Sequence, residues 1–225
     1  ELLARVDASG WIAEEFVAFE QELAVVAARD SQGEVVLFPL VQTHQHAQVC
    51  DWVLAPADSS HALEQAARNI AASLLTSLDY VGVLSIEFFY GPAGLQINEL
   101  APRTHNSGHY TIEACPTSQF AQQLRIVAGQ PLASTALGVP GALMVNLLGF
   151  DHGEDDSSGR RQALAALPGA HLHWYGKGGS SPGRKLGHLT LLLDAGDPED
   201  RRRQAAALLD QVRAIWPLPS PADPA

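Results

Sequence analysis

The chain has 225 residues, of which 46% are hydrophobic and 17% are charged, so it can bury the core of one large or two small domains. With 14 Lys and Arg against 25 Asp and Glu, its formal net charge of -11 argues against a general nucleic-acid-binding or anionic-membrane surface. No apolar run reaches the roughly 18 residues of a membrane span, and no signal segment stands at Glu1, so we expect a cytoplasmic protein.

The first part of the chain alternates strand and helix patterns. β-branched and aromatic runs favour strands, and apolar residues at helical spacing favour helices. The predicted elements, in chain order, are strands over 11–19, 22–30 and 35–43, a helix over 62–78, strands over 81–90 and 95–100, and a helix over 118–128. Cys50 and Cys115 fall between these elements and lack CxxC spacing, so we expect buried free thiols.

A segment rich in Gly, Pro and small residues, 129–141, predicts a linker or domain edge. Beyond it the patterns predict a strand over 142–149, a mobile acidic loop over 153–160, strands over 171–176 and 189–193, a helix over 198–216 and a proline-rich tail. The whole reads as an α+β chain. We expect an antiparallel sheet with helices over residues 1–133, and a small β-rich domain over residues 134–225.

Two carboxylates flank the predicted turn GPAG. If the loop has three residues ending at Gly94, Glu87 lies opposite Glu99 and Phe89 opposite Ile97. Directly opposed like charges destabilise a strand pair, so this pairing favours a hard divalent cation such as magnesium, held together with a nucleotide. A four-residue loop would instead slip the register by one and send the glutamates to opposite faces.

The stretch NELAPRTHNSGHYTIEA gathers hydrogen-bonding groups directly after the second strand of this hairpin. A guanidinium at Arg103, close to a metal-bound carboxylate, suits a carboxylate, a bicarbonate or a phosphate. His105, Asn106 and His109 add further polar groups. Each of these alone is more typical of a turn or a cap, but together they indicate a site.

Two further segments allow a functional and a structural interpretation. Cations at Lys177, Arg184 and Lys185 predict either a phosphate pocket or a solvated loop that offsets nearby acidic surface. Near the start, residues 14–17 and Glu22 fit a connecting strand that contacts a base while one carboxylate binds ribose hydroxyls. They also fit a half-exposed strand with glutamates on its wet face.

These motifs together resemble one family. NELAPRTHNSGHYTIEA followed by TSQF, with IEFF twelve positions before it and YGK and PGRKLGH near the end, is similar to the N5-carboxyaminoimidazole ribonucleotide synthetases, ATP-grasp enzymes of purine biosynthesis. The resemblance runs over nearly the whole chain and corresponds to the C-terminal two-thirds of a family member. It implies an ATP-grasp C-terminal subdomain followed by the small β-rich domain.

The resemblance also implies a reaction. Such enzymes use ATP, magnesium and bicarbonate to carboxylate 5-aminoimidazole ribonucleotide through carboxyphosphate, and the family suggests a homodimer. The residue roles it implies are as follows: magnesium at Glu87 and Glu99; nucleotide at Glu14, Glu15, Phe16, Val17, Glu22, Asn98 and Glu99; bicarbonate or carboxyphosphate at Arg103, His105 and Asn106; and the substrate phosphate at Lys177, Arg184 and Lys185. Gln45 stands where the family often has a nucleotide-contacting histidine.

Departures from the family pattern limit the expectation. Ser181 and Leu186 replace an Arg and a Met of the usual RPGRKMGH loop. The family's N-terminal substrate-binding domain and its glycine-rich flap have no counterpart in this sequence, so we expect the chain alone to be inactive or nearly so. Two alternatives stay open: another ATP-grasp ligase, such as a formate-dependent glycinamide ribonucleotide transformylase, and a noncatalytic nucleotide-binding fragment.

Overall fold

The computed structural model describes residues 12–151 and 157–219, and an antiparallel sheet of nine strands organises them. The strands are β1 (Gln21–Arg29), β2 (Val35–Leu37), β3 (Val41–His46), β4 (Val49–Ala55), β5 (Gly82–Gly91), β6 (Gly94–Ala101), β7 (Gly141–Leu148), β8 (Ala170–Trp174) and β9 (Lys185–Leu193). Their order across the sheet is β6-β5-β1-β3-β4-β7-β9-β8, and β2 pairs with the far end of β1. The predicted α+β class is confirmed.

Helices cover the sheet and connect its strands. They are α1 (His61–Ser77), α2 (Thr111–Ala114), α3 (Gln119–Val127), α4 (Ser158–Ala165) and α5 (Pro198–Ile215), with a 3-10 turn at Asn106–Gly108. The long helices begin at side-chain caps, because Ser60, Ser118 and Asp197 each accept a hydrogen bond from a backbone N–H of the first turn. The predicted helices at α1, α3 and α5 are confirmed. No helix in the described ranges is long and apolar enough to cross a membrane.

The core lies on both faces of the sheet. Alternate residues of β1 point to opposite sides, so Leu23 packs under α1 whereas Ala24 packs under the segment that contains Tyr110. A third cluster joins β7 and β9 to α5 around Val212 and the fully buried Trp216. Cys50 and Cys115 are free and buried, as predicted.

Three strand predictions need correction. The stretch 12–19 is not a strand; Trp11 lies outside the described residues. The ladder between β1 and β5 begins at Gln21, opposite Tyr90, and β5 ends one residue later at Gly91. The strand predicted over 35–43 is two strands, separated at 38–40.

The third correction is β4, which the sequence interpretation missed. It forms a hairpin with β3 through a tight turn in which Ala47 and Gln48 take positive φ values of 47° and 65°. Glycine or asparagine usually marks such a turn, and neither is present. Asp51 also interrupts the apolar run, although it is buried and ion-paired with Arg213 of α5.

In the second half of the chain, one expected loop is partly helical. Residues 153–156 of the predicted acidic loop lie outside the described residues, but Ser158–Ala165 forms α4, which packs near β8. The segment 129–141 connects α3 to β7 largely without regular structure. Because β7 pairs with β4, the sheet continues past position 133. The division of the chain at 133/134 stays a prediction.

Candidate active site

The site is built on the hairpin of β5 and β6. This hairpin closes through a two-residue turn at 92–93, and Gly94, at a φ of 86°, supplies the left-handed conformation that follows it. The sequence predicted a three-residue loop and Phe89 opposite Ile97. That pairing is wrong, since Phe89 lies opposite Gln96.

A β-bulge nevertheless brings the two carboxylates together. The register shifts between Glu87 and Phe88, which leaves Asn98 as the extra residue and pairs Glu87 with Glu99. The predicted opposition of these glutamates is therefore confirmed, although for a different geometric reason. The bulge also lets the consecutive residues Asn98 and Glu99 both face one cavity, whereas consecutive residues of a regular strand point to opposite faces.

The cavity is open and has a volume of about 550 Å³, within the range of small-molecule sites. Strands β1, β3, β4, β5 and β6 and the start of β9 contribute to its wall. Seven of the candidate site residues predicted from the sequence line it: Glu22, Gln45, Glu87, Asn98, Glu99, His105 and Lys185. The fold thus gathers residues that are up to 163 positions apart in the chain into one site.

The cavity is short of positive charge. Burial raises the pKa of Glu87, and the charge of Glu99 raises it further. Burial also raises the pKa of Glu22. Lys185 is the lysine on this wall, and burial lowers its pKa. A bound cation would stabilise the ionised carboxylates.

The donor set fits magnesium held together with phosphates. Within the described ranges, no cluster of three or more His, Cys, Asp or Glu side chains is arranged to hold a metal by itself. Glu87 and Glu99 supply two hard carboxylate ligands, and Mg²⁺ in nucleotide sites is commonly bound by one or two carboxylates plus phosphate oxygens and water. These two residues would hold the ion.

His105 lines the cavity from the loop that follows β6. Its Nδ1 is 3.0 Å from the Ser107 hydroxyl and 3.6 Å from Glu87 Oε1. Burial, with Arg103 and Lys185 adding to it, lowers the pKa of His105 to about 4, so the ring is neutral at physiological pH and its contact with Glu87 is not an ion pair. Arg103 is exposed and donates to the Thr104 carbonyl at 3.0 Å, outside the cavity wall.

Asn106 connects this loop to the core and to Lys185. Its Nδ2 donates to Asn146 Oδ1 at 2.8 Å, and Asn146 Nδ2 donates back to Asn106 Oδ1 at 2.7 Å. Asn146 Nδ2 also donates to the Cys50 carbonyl. That carbonyl can only accept, so it fixes the orientation of both amides. The Asn106 Oδ1 is then turned toward Lys185 Nζ, 3.2 Å away.

The three cations predicted to bind the substrate phosphate, Lys177, Arg184 and Lys185, differ in what they contact. Lys185 faces the cavity. Lys177 is exposed and donates to the Lys185 carbonyl at 2.8 Å. Arg184 is exposed too, and its Nη1 donates to the carbonyls of Gly178 and Gly179.

Of the described residues before β1, 12–20, Phe19 contributes to the cavity wall. Glu14, Glu15 and Phe16 are exposed and Val17 is half-buried. Phe19 lines the cavity and stacks on Phe89 with ring centroids 4.5 Å apart. Glu22 then lies on the wall as the second residue of β1.

Gln45 lines the cavity, and the two histidines beside it do not. His44 stacks on Trp52 with ring centroids 5.2 Å apart, and His46 bonds the Pro219 carbonyl at 3.0 Å. Of these three residues, Gln45 is therefore the one on the cavity wall, and its contact with nucleotide stays a prediction.

Several residues of the site escaped the sequence interpretation. Gln48 and Cys50 line the cavity from the missed β3–β4 hairpin. Asn146 and Gln119 are fully buried amides behind the 103–109 loop. A polar residue in the middle of the apolar strand ALMVNLLG was the available signal for Asn146.

Comparison with known proteins identifies the class first. The ATP-grasp domain family matches residues 2–120, and the family described as phosphoribosylaminoimidazole carboxylase C-terminal domain matches residues 142–202. The chain belongs to the ATP-grasp family, and within it to the N5-carboxyaminoimidazole ribonucleotide synthase family.

Individual relatives agree. The chain is 57% identical to the N5-carboxyaminoimidazole ribonucleotide synthase of Synechococcus elongatus over 93% of this chain and 53% of that protein. It superposes on the Thermus thermophilus synthetase with a TM-score of 0.77 at 41% identity, covering 89% and 52% of the two chains. A synthase from Aspergillus clavatus, solved with ADP and 5-aminoimidazole ribonucleotide, gives 0.78 at 33% identity, covering 88% and 52%. The chain spans about half the length of these relatives, less than the two-thirds expected.

Proposed function

We propose that this chain supplies the metal, bicarbonate and part of the nucleotide and substrate sites of an enzyme that carboxylates 5-aminoimidazole ribonucleotide at the expense of ATP, in purine biosynthesis. The observation that carries the proposal is the bulged hairpin. It sets Glu87 opposite Glu99, in a cavity that also receives His105 and Lys185. The similarity to N5-carboxyaminoimidazole ribonucleotide synthases over 93% of the chain supports it.

In this proposal the residues mainly position and neutralise charge. The γ-phosphoryl group of ATP passes to bicarbonate, which gives ADP and carboxyphosphate; attack by the substrate amine on the carboxyphosphate carbon then forms the carbamate and releases phosphate. Magnesium, held by Glu87 and Glu99, would neutralise the phosphate oxygens. Lys185 adds a positive charge on the same cavity wall.

His105 and Arg103 serve the bicarbonate in this scheme. A neutral His105 can donate a hydrogen bond to an oxygen of bicarbonate or carboxyphosphate without adding charge. Arg103 turns its guanidinium from the Thr104 carbonyl into the cavity when an anion is bound, since a charged partner is a stronger acceptor than a carbonyl. Asn106 keeps Lys185 in place.

The remaining roles belong to the same proposal. Glu22 binds the ribose, residues 14–17 contact adenine, and Gln45 and Asn98 contact the nucleotide. Lys177 and Arg184 bind the ribonucleotide phosphate. We further propose that the enzyme is cytoplasmic and a homodimer.

Two proteins test the proposal: the 225-residue chain, and an extended protein in which the N-terminal region of the Synechococcus elongatus relative precedes this sequence. In the extended protein, Arg103→Ala should lower bicarbonate-dependent ADP release by at least about 100-fold, because a charge-assisted bidentate contact is lost. Near-normal turnover would remove Arg103 from the bicarbonate site. Formate and glycinamide ribonucleotide in place of the proposed substrates test the alternative ligase, and nucleotide binding that does not need magnesium would favour a noncatalytic fragment.

A further inference from the structure

One buried side chain holds the backbone of His105 on both sides. Gln119, the first residue of α3, is 0% exposed. Its Nε2 donates to the His105 carbonyl at 2.7 Å, and its Oε1 accepts from the His105 N–H at 2.9 Å. A single amide therefore satisfies both backbone groups of His105, as a neighbouring strand would.

The surroundings of Gln119 fix its own position. Its backbone N–H donates to the Thr111 hydroxyl, and its Nε2 lies 3.1 Å from His109 Nδ1. A Cβ atom at Gly108 would lie only 2.7 Å from Gln119 Cδ, so the glycine leaves the space that the amide occupies. Contacts on several sides thus confine the amide to one orientation.

We propose that Gln119 is a positioning residue, which fixes the direction of the His105 ring toward Glu87 and the bicarbonate. The inference rests on the proposed function, and it deepens that function because it names what holds His105 in place. Gln119 does not line the cavity, so it acts through His105 and not on a substrate.

The same helix provides a matched control. Gln122, one turn further along α3, is also 0% exposed, and its amide makes the same two contacts with a backbone residue: Nε2 donates to the Ala133 carbonyl, and Oε1 accepts from the Ala133 N–H. Ala133 lies in the connection to β7 and does not line the cavity. Loss of either amide should cost similar stability, but only Gln119 holds a residue of the site.

The experiment compares Gln119→Met and Gln122→Met in the extended protein, because methionine keeps the length of the side chain and removes both hydrogen bonds. We expect Gln119→Met to lower kcat/KM for bicarbonate by about tenfold or more, since a misplaced group weakens the reacting geometry. Gln122→Met should lower the urea midpoint by a similar amount, but its kcat/KM for bicarbonate should stay within about twofold of wild type. Affinity for magnesium-ADP should stay within about twofold in both.

A second variant covers the case in which Gln119→Met fails to fold. Gly108→Ala keeps the glutamine but forces its amide to shift, so it should lower kcat/KM for bicarbonate as Gln119→Met does and leave the affinity for magnesium-ADP unchanged. Equal effects of the Gln119 and Gln122 variants on kcat/KM, or a Gly108→Ala protein with normal kinetics, would overturn the positioning role. A wild-type extended protein without bicarbonate-dependent ADP release would overturn the proposed function, and the role of Gln119 with it.

Discussion

The histidine cluster at the junction of the loop and the last two strands predicts a steep loss of stability in mild acid. His188 of β9 is 2% exposed and stacks on His173, with ring centroids 4.5 Å apart, and His109 lies 4.8 Å from it on another side. The Tyr175 hydroxyl bonds its Nδ1 at 2.9 Å. Glu113, which bonds His173 at 2.6 Å, is the carboxylate in the cluster.

Burial, with His109 and His173 adding to it, lowers the pKa of His188 from 6.5 to about 3. The unfolded chain therefore binds a proton at this residue over the window from about pH 6.5 down to about pH 3, while the folded chain does not. Folding stability must fall as the pH drops through that window. At about pH 5, roughly 1.5 units below the ordinary value, the loss from His188 alone is about 2 kcal/mol.

The assay is urea unfolding of the 225-residue chain at about pH 7.5 and about pH 5, followed by tryptophan fluorescence. His188→Asn keeps a partner for Tyr175 and removes the titrating ring. Between the two pH values, the free energy of unfolding of His188→Asn should fall by about 2 kcal/mol less than that of wild type. His171→Asn, at an exposed histidine of β8, is the control and should follow wild type. An equal pH dependence of wild type and His188→Asn would show that His188 does not destabilise the fold in acid.

Two further predictions concern the site. Replacing Glu99 by Gln removes one of two opposed charges, so without nucleotide the free energy of unfolding of the extended protein should rise by roughly 0.2–1 kcal/mol, while magnesium-dependent ADP binding weakens at least about tenfold. The control Asp210→Asn, on the exposed face of α5, should change neither quantity. A Glu99→Gln protein that is less stable than wild type would contradict the metal site. Replacing Asn146 by Leu removes the side-chain donor to the Cys50 carbonyl and the amide partner of the half-buried Asn106, so thermal unfolding should show a loss of about 2 kcal/mol or more in the free energy of unfolding, and a neutral effect would show that this network does not stabilise the fold.

The local pattern of the sequence predicted the site hairpin well. A glycine-bounded turn between two β-branched and aromatic runs restricts the chain to few registers, and a three-residue loop ending at Gly94 is the one that places Glu87 opposite Glu99. The actual backbone path was not predictable, because a two-residue turn followed by a bulge at Asn98 gives the same pairing of glutamates as the three-residue loop. The two arrangements differ in the pairs between the bulge and the turn, such as the pairing of Phe89.

The missed parts depend on contacts between distant segments. β4 is stabilised by pairing with β7 and by the ion pair of its Asp51 with Arg213, 162 residues away, so its polar residues looked like loop residues in isolation. The converse error is the strand predicted at 12–19, where the local strand preference of the residues is not followed and the ladder with β5 begins only at Gln21. The NELAPR and PGRKLGH motifs were recognisable, but the sequence could not indicate that Lys185 faces the cavity while Lys177 and Arg184 do not.

ADP release with ATP, magnesium, bicarbonate and 5-aminoimidazole ribonucleotide, measured on the 225-residue chain and on the extended protein, is the direct test of the proposed carboxylation. We expect release in the extended protein that requires both bicarbonate and the ribonucleotide and disappears in Glu87→Gln. Release that is absent in both proteins, or that persists without bicarbonate, would contradict the proposed carboxylation.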